Sequence, residues 1–153
     1  MSEKETYTKR SSSLGYSLRS PYQKLSKAIY GSLADRGFGD IRPSHSAVFR
    51  NIGPEGNRVT EMAEMADMTK QSMGYLVDTL QKAGYVRLKP DPEDGRAKLV
   101  LLTAKGNRVL NALLDSSNSF EAALSKTHGP EFVRDLRQKL RLLDEFLAQS
   151  SEE

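Results

Sequence analysis

The chain contains 153 residues, with 23 basic against 20 acidic side chains, a formal net charge of +3 and no cysteine. This length predicts one compact domain that buries about two thirds of its unfolded surface. The lack of cysteine excludes disulfides, structural thiolate zinc and sensing by cysteine oxidation. The two histidines, His45 and His128, have no ligand-like spacing around them, so no metal site or cofactor is expected.

Segment 1–13 is polar and lacks the apolar stretch of a secretory signal, so it is expected to be a disordered tail. A weak contact of its basic groups with phosphate is the alternative. No apolar run in the chain approaches the roughly 18 residues of a membrane span. We therefore expect a cytoplasmic protein that does not bind membranes.

Two helices are predicted before residue 53. Over 14–36, apolar residues recur at helical spacing, although Pro21 predicts either a kink or a restart of the helix. A second helix over 43–52 begins at a proline and ends before a Gly-Pro pair. Its expected buried side chains are Val48, Phe49 and Ile52.

The next two predicted helices are separated by only two residues. The first covers 58–67 with Thr60 as its N-cap, and the second follows its own N-cap, Thr69. Such a pair is typical of a helix-turn-helix unit, whose second helix, the recognition helix, reads the major groove of DNA. The second helix has an apolar stripe at i, i+3, i+4 and i+7, formed by Met73, Leu76, Val77 and Leu80.

The opposite face of this second helix carries groups that can form hydrogen bonds with base edges. Gly74 lies in the middle of that face, where its small size allows close approach to a partner. A solvated amphipathic helix is the alternative for this segment taken alone. The predicted DNA contacts on this helix are Thr69, Lys70, Gln71, Ser72 and Tyr75.

A hairpin is predicted directly after the recognition helix. Residues 85–89 alternate apolar and basic side chains, 97–102 form a second strand, and 90–96 form a charged tip whose prolines place it outside the ladder. Arg96 is expected to enter the minor groove while Asp94 orients its guanidinium. A solvated loop with a local ion pair is the alternative. The strand cations expected to point toward phosphate are Arg87, Lys89 and Lys98.

Two long helices are predicted at the C-terminal end, from a cap at Thr103 to about His128 and from about 131 to 149. Together with the first helix they carry more apolar surface than the winged helix can cover, which predicts a homodimer. Such a dimer would place two recognition helices about 34 Å apart and demand a pseudo-palindromic DNA site. A monomer with an intramolecular helical bundle is the alternative.

Several motifs in the middle third of the chain occur together in one known family. They are Glu61-Met62-Ala63, Thr69-Lys70-Gln71-Ser72 followed by Leu76-Val77-Asp78-x-Leu80, Gly84-Tyr85-Val86 and, above all, the run from Asp91 to Gly106, DPEDGRAKLVLLTAKG. With these motifs the chain resembles the multiple-antibiotic-resistance regulator (MarR) family of winged-helix transcription factors. Met62 departs from the family pattern, which usually has leucine there.

The resemblance implies a mainly α (α+β) fold within a single domain at 14–150. A winged helix-turn-helix with a two-stranded wing would occupy 43–102. Dimerisation helices at 14–36 and 103–150 would flank it, and the N- and C-terminal helices of two copies would interleave.

The resemblance also implies an effector, because family members often bind small aromatic or phenolic acids in a cleft between the dimer helices and the winged helix. Such binding loosens their grip on DNA. The alternative for each candidate residue is an ordinary position in the core or on the surface. The candidates for such a cleft are Tyr16, Arg19, Tyr22, His45 and Phe49.

Two functions remain open at this point. The first is a homodimeric, ligand-responsive repressor that binds double-stranded DNA. The second is a winged helix that binds another protein and no DNA, favoured by the near-neutral balance of 9 basic and 8 acidic residues over 42–98. No catalytic residues are predicted, because the chain lacks nucleophile, phosphate-loop and metal-ligand motifs.

Overall fold

The computed structural model of the chain describes Lys9 and residues 12–150. Most of the tail predicted over 1–13 lies outside the described residues. The chain forms two compact units, one up to residue 113 and one from 114 onward. No helix in the described ranges is long and apolar enough to cross a membrane.

The described residues form six α-helices, three short strands and two 3-10 turns. The mainly helical fold class and the two-stranded wing are therefore confirmed, and a third short strand joins the wing hairpin in one sheet. The elements are α1 (Leu14–Gly31), α2 (Ser46–Asn51), β1 (Asn57–Arg58), α3 (Val59–Met65), α4 (Lys70–Lys82), β2 (Val86–Pro90), β3 (Lys98–Leu102), α5 (Ala104–His128) and α6 (Pro130–Ser150).

α1 continues through Pro21, so the helix does not restart there. Proline lacks the N–H that would bond the carbonyl of Ser17. Both residues are exposed, which lets water take that carbonyl instead. The side chain of Ser13 caps the helix by accepting from the backbone N–H of Tyr16, with Oγ and N 3.3 Å apart.

The cap of α3 differs from the sequence prediction. Arg58, in extended conformation, is the N-cap, and Glu61 accepts from its backbone N–H with N and Oε2 3.0 Å apart. Thr60 lies inside the helix, so its predicted role as the cap was wrong. The glutamate three residues after the cap is the signal that identifies the correct start.

The predicted cap of α4 is confirmed. The Oγ1 atom of Thr69 accepts from the backbone N–H of Ser72 at 3.1 Å. The helix buries its apolar stripe against a core formed by the first unit. Members of that core from the other elements include Leu33, Val48, Phe49, Met62, Tyr85, Val86, Val100 and Val109.

The sheet is antiparallel, with β3 between β1 and β2. β1 was not predicted, because two residues are too few to show strand alternation. Pro90 was expected in the tip, but it is the last residue of β2 and lies opposite Lys98. The position is tolerated because β2 is an outer strand, where a missing N–H removes no bond to a further strand.

The root of the wing is fixed to the start of α5 by Thr103 and Gly106. The Thr103 hydroxyl donates to the carbonyl of Gly84 at 2.7 Å and accepts from the N–H of Gly106 at 3.1 Å. A Cβ atom at Gly106 would lie 2.1 Å from the carbonyl oxygen of Tyr85. Only glycine therefore allows this approach of helix and strand.

The second unit contains α6 and the part of α5 after residue 113. Gly129, with φ of 93°, turns the chain between the two helices. An ion pair joins Arg137 to Glu121, and the rings of His128 and Phe132 lie 4.9 Å apart. None of the described residues of α6 is fully buried. Its exposed large apolar side chains are Phe132, Leu136, Leu140, Leu142, Phe146 and Leu147.

Candidate nucleic-acid interface

The predicted DNA-reading residues of α4 lie on its exposed side, opposite the buried stripe. They comprise Thr69, Lys70, Gln71, Ser72 and Tyr75, and Tyr75 is 71% exposed. The hydroxyl of Thr69 also donates to Ser72 Oγ at 2.9 Å. The N-terminal half of α4 thus offers hydroxyl, ammonium, carboxamide and phenol groups to one partner surface.

An acidic side chain on the same helix is partly neutralised. Asp78 and Lys82 form an ion pair with Oδ2 and Nζ 2.6 Å apart. The hydrogen bond to Asp78 raises the pKa of Lys82 above its ordinary value. The pair reduces the repulsion that an isolated carboxylate on this helix would exert on a polyanion.

The tip of the wing presents Arg96 to solvent. Asp94 accepts from the backbone N–H of Arg96 at 3.0 Å, and among the described ion pairs none joins Asp94 to the guanidinium. The orienting contact predicted from sequence is thus made to the main chain instead of the side chain. Asp94 shapes the turn, and Arg96 remains exposed.

The register of the hairpin separates its three cations. Lys98 lies opposite Pro90, whereas Arg87 and Lys89 lie opposite Leu101 and Leu99. Residues directly opposite each other in an antiparallel pair project from the same face of the sheet, and neighbours along a strand alternate. Lys98 therefore projects from one face of the hairpin, and Arg87 and Lys89 project from the other.

A groove of about 530 Å³ runs between α4 and the wing. Of the predicted DNA contacts, it brings together Lys70, Asp94, Arg96 and Lys98. Thr69, Gln71, Ser72 and Tyr75 lie on the exposed side of α4 and do not line the groove, and neither do Arg87 and Lys89. The remaining lining residues are Arg58, Val59, Thr60, Gly74, Val77, Asp78, Gln81, Leu88 and Ala97.

Arg58 and Asp91 form an ion pair in this region that the sequence did not predict. The Nε and Nη2 atoms of Arg58 lie 2.6 and 2.5 Å from Asp91 Oδ2. The pKa of Asp91 is below its ordinary value, first because its carboxylate accepts from the backbone N–H of Glu93 and further because of Arg58, against the opposing effect of burial. The Asp-Pro pair signals a turn, but nothing in the sequence pairs it with an arginine 33 residues away.

Tyr85, at the junction of α4, β2 and α5, makes further contacts that the sequence did not predict. Its buried hydroxyl donates to Asp40 Oδ1 at 2.5 Å, and burial, followed by that contact, raises its pKa. The ammonium of Lys105 lies 4.0 Å from the centroid of the Tyr85 ring and donates to the carbonyl of Ala83 at 2.8 Å. Lys105 thereby caps the C-terminal end of α4.

The five predicted effector contacts are divided among three places. Tyr16 and Arg19 lie on the exposed side of α1, and Tyr22 lines a separate pocket between α1, α2 and the end of α3. Phe49 and His45 are buried. His45 Nδ1 accepts from the backbone N–H of Arg42 at 3.0 Å, and burial holds the pKa of His45 below its ordinary value.

These features define a winged helix-turn-helix protein whose recognition helix and wing share one groove. A profile of the MarR family matches residues 40–97. The transcriptional regulator HosA of Escherichia coli O111:H- is 31% identical over 94 residues, which cover 60% of this chain and 70% of HosA. The chain belongs to the MarR family of transcriptional regulators.

Solved structures support the fold assignment. The MarR family transcription regulator SP03579 has a TM-score of 0.75 at 16% identity and covers 99% of this chain and 95% of its own. The repressor CouR bound to a 23-mer DNA duplex has a TM-score of 0.69 at 23% identity, with 90% and 94% covered. CouR from Rhodococcus jostii RHA1 bound to p-coumaroyl-CoA has a TM-score of 0.68 at 21% identity, with 87% and 92% covered.

Proposed function

We propose that this protein is a homodimeric transcriptional repressor, and not an enzyme, that binds a pseudo-palindromic DNA operator and releases it when a small aromatic effector binds. The observation that carries DNA binding is the groove between α4 and the wing. It is lined by Lys70 on one side and by Arg96 and Lys98 on the other. Cations on both walls of one groove suit a phosphate backbone that passes between them.

In this proposal α4 enters the major groove with its N-terminal half foremost. Gln71 and Lys70 form hydrogen bonds with base edges, and Tyr75 packs against a base or sugar. Arg96 enters the neighbouring minor groove, where its exposed guanidinium meets the narrow negative channel. Because Arg87 and Lys89 project from the other face of the hairpin, we assign them only a long-range attraction.

A homodimer accounts for the apolar surface of α6. Phe146 is 64% exposed, and five more large apolar side chains of this helix are exposed as well. Helices with this much exposed apolar surface usually pack against another chain. A two-fold axis would give two copies of the groove and hence a two-fold symmetric operator.

The pocket that contains Tyr22 is the best candidate for the effector. It has a volume of about 500 Å³, and Ser46, Arg50, Asn51 and Met65 contribute to its lining. Arg50 Nη1 donates to the Tyr22 hydroxyl at 3.1 Å. A guanidinium beside a phenol and a thioether suits an aromatic carboxylate. CouR, a neighbour of the same fold, binds p-coumaroyl-CoA, which carries an aromatic acyl group as a thioester. Of the five residues predicted from the sequence to contact an effector, only Tyr22 lines this pocket.

The experiment is fluorescence anisotropy with labelled promoter DNA from the neighbourhood of the protein's own gene, at several salt concentrations. We expect specific binding at nanomolar to micromolar protein, with affinity that falls steeply as salt rises. Arg96→Ala should weaken binding to all sequences, while Gln71→Ala should reduce discrimination among bases by about 1–3 kcal/mol. Binding that is absent at every salt concentration would favour the protein-interaction alternative.

A further inference from the structure

The ion pair between Arg58 and Asp91 connects the start of α3 with the base of the wing tip. Two guanidinium nitrogens of Arg58 contact one carboxylate oxygen of Asp91. The Asp91 side chain is 5% exposed, and that of Arg58 is 33% exposed. A nearly buried carboxylate is costly to desolvate, and in some proteins a pair of this kind fixes a geometry instead of adding stability.

Asp91 also forms hydrogen bonds within the tip, through its second carboxylate oxygen and its backbone N–H. Its second oxygen, Oδ1, accepts from the backbone N–H of Glu93 at 2.9 Å. Its own backbone N–H donates to the carbonyl of Ala97 at 3.1 Å. One residue therefore holds both stems of the tip that presents Arg96.

Arg58 is itself held from two directions. Its backbone N–H donates to Glu61 at the start of α3, and its Cα lies opposite Leu99 in the sheet. Its side chain lines the groove together with Arg96 and Lys98. Because the hairpin ladder ends at Pro90 and Lys98, the ladder alone does not determine where the tip beyond it lies.

We propose that Arg58 and Asp91 are positioning residues: their ion pair sets the wing tip against α4 at the spacing that admits one DNA backbone. The inference rests on the proposed DNA binding and goes beyond it, because Asp91 is an acid that strengthens the binding of a polyanion. Arg58 acts through Asp91 and holds the tip from the fixed start of α3.

The sign of the effect separates positioning from simple charge. Asp91→Asn removes a negative charge next to a DNA-binding groove, so general electrostatics alone predicts tighter binding. Positioning predicts weaker binding, by about tenfold, the scale of one lost charge-assisted hydrogen bond. The matched control is Glu93→Gln, which removes the same charge from the exposed part of the same tip and should bind as tightly as the parent or more tightly.

A double-mutant cycle with Arg96 tests whether Asp91 acts through the tip. In an Arg96→Ala background, Asp91→Asn should cost little further affinity, because the guanidinium that it places is gone. Equal losses in both backgrounds, or Asp91→Asn binding at least as tightly as Glu93→Gln, would overturn the proposal. Asp91→Glu, which keeps the charge and lengthens the side chain, should also weaken binding, and parent-like affinity of this variant would count against positioning.

Amide hydrogen exchange without DNA separates this inference from the proposed function. Asp91→Asn should speed exchange at the backbone N–H groups of position 91, Glu93 and Ala97, whereas Glu93→Gln should not. Unchanged exchange would contradict the positioning role whether or not the parent binds DNA. If the parent failed to bind any promoter DNA while the exchange result held, DNA binding would be refuted and the role of the pair in placing the tip would stand.

Discussion

Gly106 provides the sharpest test of how the wing is attached to the rest of the first unit. A Cβ atom there would lie 2.1 Å from the carbonyl oxygen of Tyr85, and ordinary contacts begin at 3.4 Å. In Gly106→Ala, strand and helix must separate by about 1.3 Å to relieve this overlap, which is a severe case of overpacking. The hydrogen bond that the Thr103 hydroxyl donates to the carbonyl of Gly84, at 2.7 Å, joins the two elements and cannot survive such a shift.

The expected loss in the free energy of unfolding is about 3 kcal/mol, combining overpacking with one hydrogen bond. Urea denaturation followed by circular dichroism measures it. The matched control is Gly15→Ala, which also lies in the first turn of a helix but has nothing within 4 Å of its Cβ. That variant should be neutral or stabilised by up to about 1 kcal/mol. A Gly106→Ala protein within about 0.5 kcal/mol of the parent would refute the steric argument, because surface-like changes have effects of that size.

Three further predictions concern the DNA face, the dimer and pH. Lys98→Ala should weaken DNA binding and reduce the slope of log affinity against log salt concentration by about 1. Arg87→Ala makes the same charge change on the other face of the hairpin and should have a smaller effect on both quantities. Equal effects of the two variants in anisotropy titrations would contradict the assignment of faces. Phe146→Glu would place a charge in the proposed dimer interface and should halve the mass measured by light scattering. The control Gln138→Glu, on the same helix, should leave the mass unchanged. A parent-like mass for Phe146→Glu would exclude α6 from the dimer interface. The pKa of His45 in the folded state lies below the ordinary value of 6.5, so the unfolded chain takes up a proton at this residue before the folded chain does. The stability contributed by neutral His45 is therefore present above pH 6.5 and is lost as the pH falls. Between pH 7.5 and 5.5 the urea midpoint should therefore drop more for the parent than for His45→Asn, a variant that keeps an acceptor for the Arg42 N–H. Equal drops would show that His45 does not contribute to the pH dependence of stability.

The sequence predicted those features that depend on neighbouring residues. The stripe of α4 and its Thr69 cap follow from spacing and from a hydroxyl at the right position, and both are confirmed. Thr103 at the start of α5 and the break at Gly129 are local signals of the same kind. The cap of α3 was predicted at Thr60 instead of Arg58, because a hydroxyl is a common cap, whereas the glutamate at the third helical position marks Arg58.

Features that depend on pairing between distant residues were not predictable in this way. The faces of Arg87 and Lys98 depend on the hairpin register, which a seven-residue tip between predicted strands does not determine. The contacts of Arg58 with Asp91 and of Tyr85 with Asp40 cross 33 and 45 residues. The sequence also does not show that His45 and Phe49 lie in the core of the first unit while Tyr16 and Arg19 are exposed, because burial depends on packing between distant segments.

The outer strand of the sheet has a consequence for solubility. β2 leaves one edge of its backbone without a neighbouring strand in the described part of the chain, and such edges invite pairing with strands of other molecules. Two cations and a terminal proline occupy this strand, and a lysine, an arginine or a proline on an open edge each discourages that association. We therefore expect Arg87 and Lys89, on the face turned away from the groove, to disfavour edge-to-edge association through the same hairpin that presents the wing.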